Sequence, residues 1–295
     1  MTRWDTHDLP DLSARTFIVT GANSGLGAAT TRALSAAGAQ VIMACRDVAK
    51  AQALAGELGV KVRLQRLDLA DLASIHEFAA TVDGADVLIN NAGVMAVPLQ
   101  RTRDGFEMQI GTNHLGHFAL TGLLYNAGKI GSRVVTVASM AHFGGRIDLD
   151  DLNWERRPYS RTQAYGQAKL ANVLFARELQ RRLSAVGSPV ISVAAHPGYA
   201  ATSLHLHTGS RLLQPVLSLG ASLLAQSAEM GALPSLYAAA APDVQPGGYY
   251  GPDGFRGFRG YPAPAPVAPA ATDEVLARRL WELSEELTKV DFPGS

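Results

Sequence analysis

The chain has 295 residues, 47% of them apolar, with 26 basic and 26 acidic side chains in balance. That composition is enough for a large core, and an α/β chain of this length can form one unit. The charge balance excludes a strong field toward nucleic acid or an anionic membrane surface, and the single cysteine, Cys45, excludes an internal disulfide and fits a reducing compartment.

Residues 1–14 read as a leader ahead of the first element. Met1 to Asp11 is polar and acidic, without the basic-then-apolar pattern of a secretion signal, so a soluble cytoplasmic protein is the expectation. Thr16-Phe17-Ile18-Val19-Thr20 is a short β-rich run, and Gly21-Ala22-Asn23-Ser24-Gly25-Leu26-Gly27 follows it at once. An alanine-rich helical stretch over 25–37, closed by Gly38, and a second strand over 40–44 complete a βαβ unit of roughly 30 residues. Glycines in such a turn let the backbone approach a pyrophosphate, which sits on the free N–H groups of the helix start. The spacing is Gly-x-x-x-Gly-x-Gly, not the commoner Gly-x-Gly-x-x-Gly, but its place between strand and helix reads as a nucleotide site.

The second strand ends in Ala44-Cys45-Arg46-Asp47. An acidic residue here would accept hydrogen bonds from the ribose 2′-OH of NAD. Arg46 instead offers a planar fork suited to a 2′-phosphate, which favours NADP, while the adjacent Asp47 either competes for the ribose or caps the next helix.

Further strands at 61–67, 86–90, 132–138 and 190–195 alternate with helices at 47–57, 71–82, 104–127 and 162–185. Near-continuous apolar strands separated by helical crossovers predict a single-domain α/β fold, a doubly wound parallel sheet of Rossmann type with helices on both faces. Residues 204–240 turn helical again with Gly and Pro breaks and read as a substrate lid, in which Leu204, Leu206, Leu212, Leu213, Val216 and Leu217 offer apolar contacts. The stretch Leu212 to Ala241 is too interrupted, by Gln214, Pro215, Gln226, Glu229 and Pro234, for a membrane span. The segment 251–295 reads as a C-terminal extension. Residues 247–266 suggest a late strand and an irregular loop, 262–270 a surface strap, and 273–289 a terminal helix started by Thr272.

In the helix over 162–185, Tyr165 and Lys169 are spaced by four, which puts both on one face. An ammonium near a phenol favours the phenolate and lowers a pKa of about 10, making the tyrosine a usable acid or base. His114 with His117, and His205 with His207, lack the carboxylate or cysteine cluster that would complete a metal site, so no metal is expected. Arg101, Arg103, Arg156, Arg157 and Arg161 are scattered among acids and aromatics and read as solvated loop charges, not a nucleic-acid patch. The loop Trp154 to Ser160 precedes the Tyr165 helix and is placed to border a substrate mouth.

Taken in order, Thr20 to Gly27, Asn90-Asn91-Ala92-Gly93, Asn113, Ser139, Tyr165, Lys169 and Pro197-Gly198 resemble a short-chain dehydrogenase/reductase over residues 14–250. Thr20 to Gly27, Ala44-Cys45-Arg46-Asp47 and Asn90-Asn91-Ala92-Gly93-Val94-Met95 are most similar to the branch of retinol dehydrogenases and the WW-domain oxidoreductase. The resemblance implies an oxidoreductase with Asn113, Ser139, Tyr165 and Lys169 as its catalytic set. Tyr165 would be acid and base. Lys169 would depress its pKa and bond the nicotinamide ribose, Ser139 would stabilise the substrate oxygen, and Asn113 would hold a water between Lys169 and solvent.

By the same resemblance, Gly21, Asn23, Ser24, Gly25, Leu26, Gly27, Arg46, Asp68, Leu69, Asn90, Ala92, Gly93, Tyr165, Lys169, Pro197, Gly198 and Thr202 would meet the cofactor. Asp68 and Leu69 resemble an adenine-contacting pair, and Thr202 a hydroxyl that meets carboxamide and phosphate. Ser24 stands where many NADP-binding relatives carry a basic residue. The expected substrate is a lipophilic alcohol, aldehyde or ketone. An NAD-dependent dehydrogenase of a small polar alcohol and a non-catalytic dinucleotide-binding redox sensor stay open beside it, and a homo-oligomer is compatible with all three.

Overall fold

The computed structural model describes residues 3–199 and 226–292. Seven parallel strands lie at its centre: β1 (Thr16–Thr20), β2 (Gln40–Cys45), β3 (Val62–Arg66), β4 (Ala85–Asn90), β5 (Ile130–Val137), β6 (Ile191–Ala195) and β7 (Tyr249–Pro252). A short β8 (Pro262–Pro264) adds antiparallel at the edge, giving the order β3-β2-β1-β4-β5-β6-β7-β8. Strand order reverses between β1 and β4, and in sheets of this kind a ligand crevice opens at the carboxyl ends of the strands flanking that point.

Phe17, Ile18 and Val19 of β1 and Leu88 and Ile89 of β4 are wholly buried, as strands covered on both faces must be. One face is covered by α1 (Gly25–Ala36), α2 (Val48–Leu58) and α7 (Ala228–Ala240), through Leu34, Leu54, Leu233 and Leu236. The other carries α3 (Leu72–Thr81), α5 (Gly116–Asn126), α6 (Arg161–Ala185) and α8 (Glu274–Thr288), through Phe78, Phe118, Phe175 and Trp281. The leader is packed too: Leu12 is in the core, and Trp4 meets Tyr237 edge-on at 5.3 Å. No helix among the described residues is long and apolar enough to cross a membrane.

Four expectations need correction. The helix expected over 104–127 starts later and is broken. The Glu107 carboxylate accepts the N–H groups of Gln109 and Ile110, so the helical stretch begins at α4 (Met108–Ile110), and one π-turn (Gly111–Leu115) intervenes before α5. The terminal helix is started by Asp273, not Thr272: Asp273 caps Val275 and Leu276 at 2.9 Å each, while the Thr272 hydroxyl donates to the Pro269 carbonyl. Within the strap, Pro262–Pro264 is the edge strand β8, a place where a proline's missing N–H costs no ladder bond. Finally, the described part of the expected lid, α7, is a core helix; Thr202 and residues 204–225 lie outside the described residues.

Candidate active site

The nucleotide end of the crevice is made mostly of backbone. The chain leaves β1 at Gly21, whose φ of 64° suits glycine, and enters α1 at Gly25. A Cβ on Gly27 would collide with the Gly21 carbonyl and come within 2.7 Å of the Asn91 amide, so helix and strand approach only because that side chain is absent. Ser24 is exposed and makes no side-chain cap, which leaves the first-turn N–H groups of α1 without a capping side chain. An uncapped helix start beside a close-approaching backbone fits a pyrophosphate. Cys45 is buried under this turn, where the low-dielectric surroundings push its thiol up to about 11.

At the end of β2 the exposed Arg46 has no ion-pair or hydrogen-bond partner among the described residues. Asp47 is committed elsewhere: it caps α2 through Lys50 N–H at 3.1 Å and pairs with Lys50 Nζ at 3.3 Å. Asp68 is half-buried and accepts the Ala70 N–H, and Leu69 is buried.

Between the halves, the Thr20 hydroxyl accepts the N–H groups of Asn91 and Ala92, each at 2.9 Å, and lies 2.9 Å from His117 Nε2. His117 Nδ1 is 3.0 Å from the Asn113 carbonyl. A carbonyl only accepts, so Nδ1 carries the proton and Nε2 takes the Thr20 hydroxyl proton; burial holds this ring neutral, with a pKa near 4. Asn90 is turned inward onto Thr121 and is fully buried, whereas Gly93 is exposed. In the π-turn, the Asn113 side-chain amide bonds Val94 at both ends, accepting its N–H at 2.8 Å and donating to its carbonyl at 2.9 Å. Asn113 thereby fixes the loop after β4.

Ser139 lies two residues past β5 and caps the turn that follows, its hydroxyl accepting the Ala141 N–H at 3.2 Å. Tyr165 and Lys169 present one face of α6 toward it. The Lys169 ammonium is 5.8 Å from the Tyr165 ring centre and donates to the Val137 carbonyl at 2.9 Å. A Cβ on Gly93 would stand 3.0 Å from Asn113 Oδ1 and 3.8 Å from Lys169 Nζ, so the loop after β4 meets the α6 face directly.

Burial raises the Tyr165 pKa above its ordinary value, and a hydrogen bond with Ser139 opposes that rise. The sequence reading put this pKa below the ordinary value. The structure differs because the Lys169 ammonium stands 5.8 Å from the ring centre, with one of its protons on the Val137 carbonyl, and desolvation of the phenol outweighs it. Burial also lowers Lys169 to about 8. On the far side of β6, the Gln226 amide donates to the Pro197 carbonyl at 2.6 Å, and Gly198 turns at φ 66°.

Three side chains of this region went unread as site residues: His117, His142 and Tyr249. His142 lies three residues past Ser139, and its Nδ1 is 2.7 Å from the Ser139 carbonyl. Tyr249 of β7 sits edge-on to it at 5.3 Å and is pushed up by burial and by its neighbour Tyr165. The spacing of His142 from Ser139 and the Tyr249-Tyr250 pair were the only traces of these contacts in the sequence.

The sequence model of the short chain dehydrogenase family matches residues 15–211. This chain belongs to the short-chain dehydrogenases. Within them the dehydrogenase falls in the retinol dehydrogenase branch. Human retinol dehydrogenase 13 is 46% identical over 96% of this chain and 87% of its own length. Mouse polyprenol dehydrogenase is 41% identical over 95% and 85%. A solved structure of an uncharacterised Mycobacterium paratuberculosis protein superposes with a TM-score of 0.86 at 50% identity, covering 99% of this chain and 100% of that one. The dehydrogenase is thus an oxidoreductase of a family that uses nicotinamide dinucleotides.

Proposed function

We propose that this dehydrogenase transfers a hydride between NADP(H) and the carbonyl or alcohol carbon of a lipophilic small molecule, with Tyr165 as acid and base. The observation that carries the reading is the meeting of Ser139, Tyr165 and Lys169 beside the exposed backbone of Gly93. When bound, the nicotinamide supplies or accepts the hydride. In reduction the Tyr165 phenol gives its proton to the substrate oxygen, while the Ser139 hydroxyl donates a hydrogen bond to the same atom. In oxidation the phenolate takes the alcohol proton, and the Lys169 ammonium stabilises that phenolate. Because burial keeps Tyr165 protonated at neutral pH, the site is prepared for reduction there, and oxidation gains as pH rises.

An Arg46 with no partner among the described residues, beside a committed Asp47, supports NADP over NAD. Uncapped Gly25, Leu26 and Gly27, with Gly21, Asn23, Ser24, Ala92 and Gly93 nearby, would hold the phosphates and nicotinamide end. The lone buried thiol supports action in the reducing cytoplasm. Retinol and polyprenol in the relatives' names support a lipophilic substrate. So does the segment 204–224, which holds one cation, Arg211, and many leucines. A redox sensor would need no acid/base set.

The test is steady-state kinetics with NADPH on aldehydes of increasing chain length. Each Å² of apolar surface removed from water contributes about 25 cal/mol, so kcat/KM rises from short to medium chains and charged analogues are poor. A preference for a short anionic substrate would overturn the lipophilic reading.

A further inference from the structure

His142 is fully buried, and both of its ring nitrogens are engaged. Nε2 lies 3.1 Å from the Ala268 N–H, which can only donate, so Nε2 accepts. The ring proton is therefore on Nδ1, which donates to the Ser139 carbonyl at 2.7 Å. That carbonyl also takes the His142 backbone N–H at 3.1 Å, while the Ser139 hydroxyl takes the Ala141 N–H. One imidazole thus ties the turn carrying Ser139 to the segment leading from β8 into α8, 126 residues away in sequence.

We propose that His142 is a positioning residue: it clamps the Ser139 turn onto the strap at Ala268 so that the serine hydroxyl stays directed at Tyr165. The proposal rests on the acid/base reading of Ser139 and Tyr165 given above. The groups around the clamp are suited to a fixed neutral tautomer. Tyr249 of β7 lies edge-on, its hydroxyl 3.5 Å from Nδ1, and burial keeps it protonated. His196, after β6, stacks on Tyr249 at 5.2 Å and is held neutral by burial, near pKa 4. Phe143 covers the ring at 4.3 Å. On α6, Tyr165 and Lys169 are the titratable groups of the site itself. Burial lowers His142 as well, so protonation does not disturb the tautomer at neutral pH.

Two substitutions separate the two bonds. His142→Gln can keep an acceptor for the Ala268 N–H but loses the donor at the Nδ1 position. His142→Asn keeps that donor and loses the acceptor. Measured on an aliphatic aldehyde with NADPH, His142→Gln should lower kcat about tenfold, the scale of one buried hydrogen bond, with KM for NADPH unchanged. Its pH profile should shift too. The Ser139 bond holds Tyr165 down, so loosening Ser139 moves the alkaline fall of reduction to higher pH. His142→Asn should stay within about threefold of the parent and keep the parent profile.

A parent-like His142→Gln, or equal losses in both variants with unshifted profiles, would overturn the clamp. Should neither variant fold, ¹⁵N spectra of histidine in the parent decide: the Nδ1–H form at His142 supports the clamp and the Nε2–H form refutes it. Tyr165→Phe, run alongside, separates the two levels. An active Phe variant refutes the acid/base reading and the clamp with it; an inactive one beside a parent-like His142→Gln refutes the clamp alone.

Discussion

The two halves of the sheet equip the crevice by different means. On the β1–β2 side the working groups are backbone N–H groups and the absence of side chains, at Gly21 and Gly27 above all. On the β5–β6 side they are polar side chains, the half-buried Ser139 and Tyr165 and the buried Lys169 and His142, each with a named partner. The first half holds a shape. On the reading proposed above the second manages protons among largely desolvated groups, where the loss of one partner leaves a costly orphan. A substitution should therefore act on binding in one half and on turnover in the other.

The sharpest way to break that division is Tyr165→Phe. Removing only the transferable proton should lower the hydride-transfer rate roughly 10²–10⁴-fold, while NADPH affinity barely moves. Single-turnover kinetics and a fluorescence titration of the cofactor read the two quantities separately, and an equal loss in both would erase the distinction.

Arg46→Asp probes the other half by charge. One charge-assisted contact contributes about 1.5–3 kcal/mol, so NADPH should weaken roughly 10- to 150-fold while NADH is spared or improved. Titration of both cofactors against parent and variant measures it. An unchanged preference would shift the choice to Ser24. Gly27→Ala should have the smallest effect of the three. Its methyl meets the Gly21 carbonyl, and such overpacking costs about 1–3 kcal/mol, visible as a lower melting temperature and weaker cofactor binding. The rate of the bound complex should be spared, which a loss in kcat alone would contradict.

The same division explains what could be read in advance. The strands from Thr16–Thr20 to Ile191–Ala195 were legible because wholly apolar runs between helical crossovers suit few other arrangements. Tyr165 and Lys169 were legible because helix periodicity puts positions four apart on one face. The π-turn at Gly111–Leu115 was not, since it depends on Val94 engaging the Asn113 amide from another loop. Nor was the direction of the Tyr165 shift, which follows from the desolvation of the phenol and from where the Lys169 ammonium points. His142 escaped for the same reason: its second partner, Ala268, is remote in sequence and uses only its backbone. Local order is written in local pattern, whereas a buried polar bond across the fold leaves no periodicity.

The aromatic stack of Phe175 and Trp281, nearly parallel at 5.7 Å, bears on how the chain is made. Phe118 and Phe175 also rest on Phe292. Residues 281 and 292 leave the ribosome after the whole of α5 and α6, so during synthesis these two helices must wait with a bare aromatic face. Until α8 emerges, that face is a patch for a holdase to cover, and α6, with Tyr165 and Lys169, reaches its final seat late in translation.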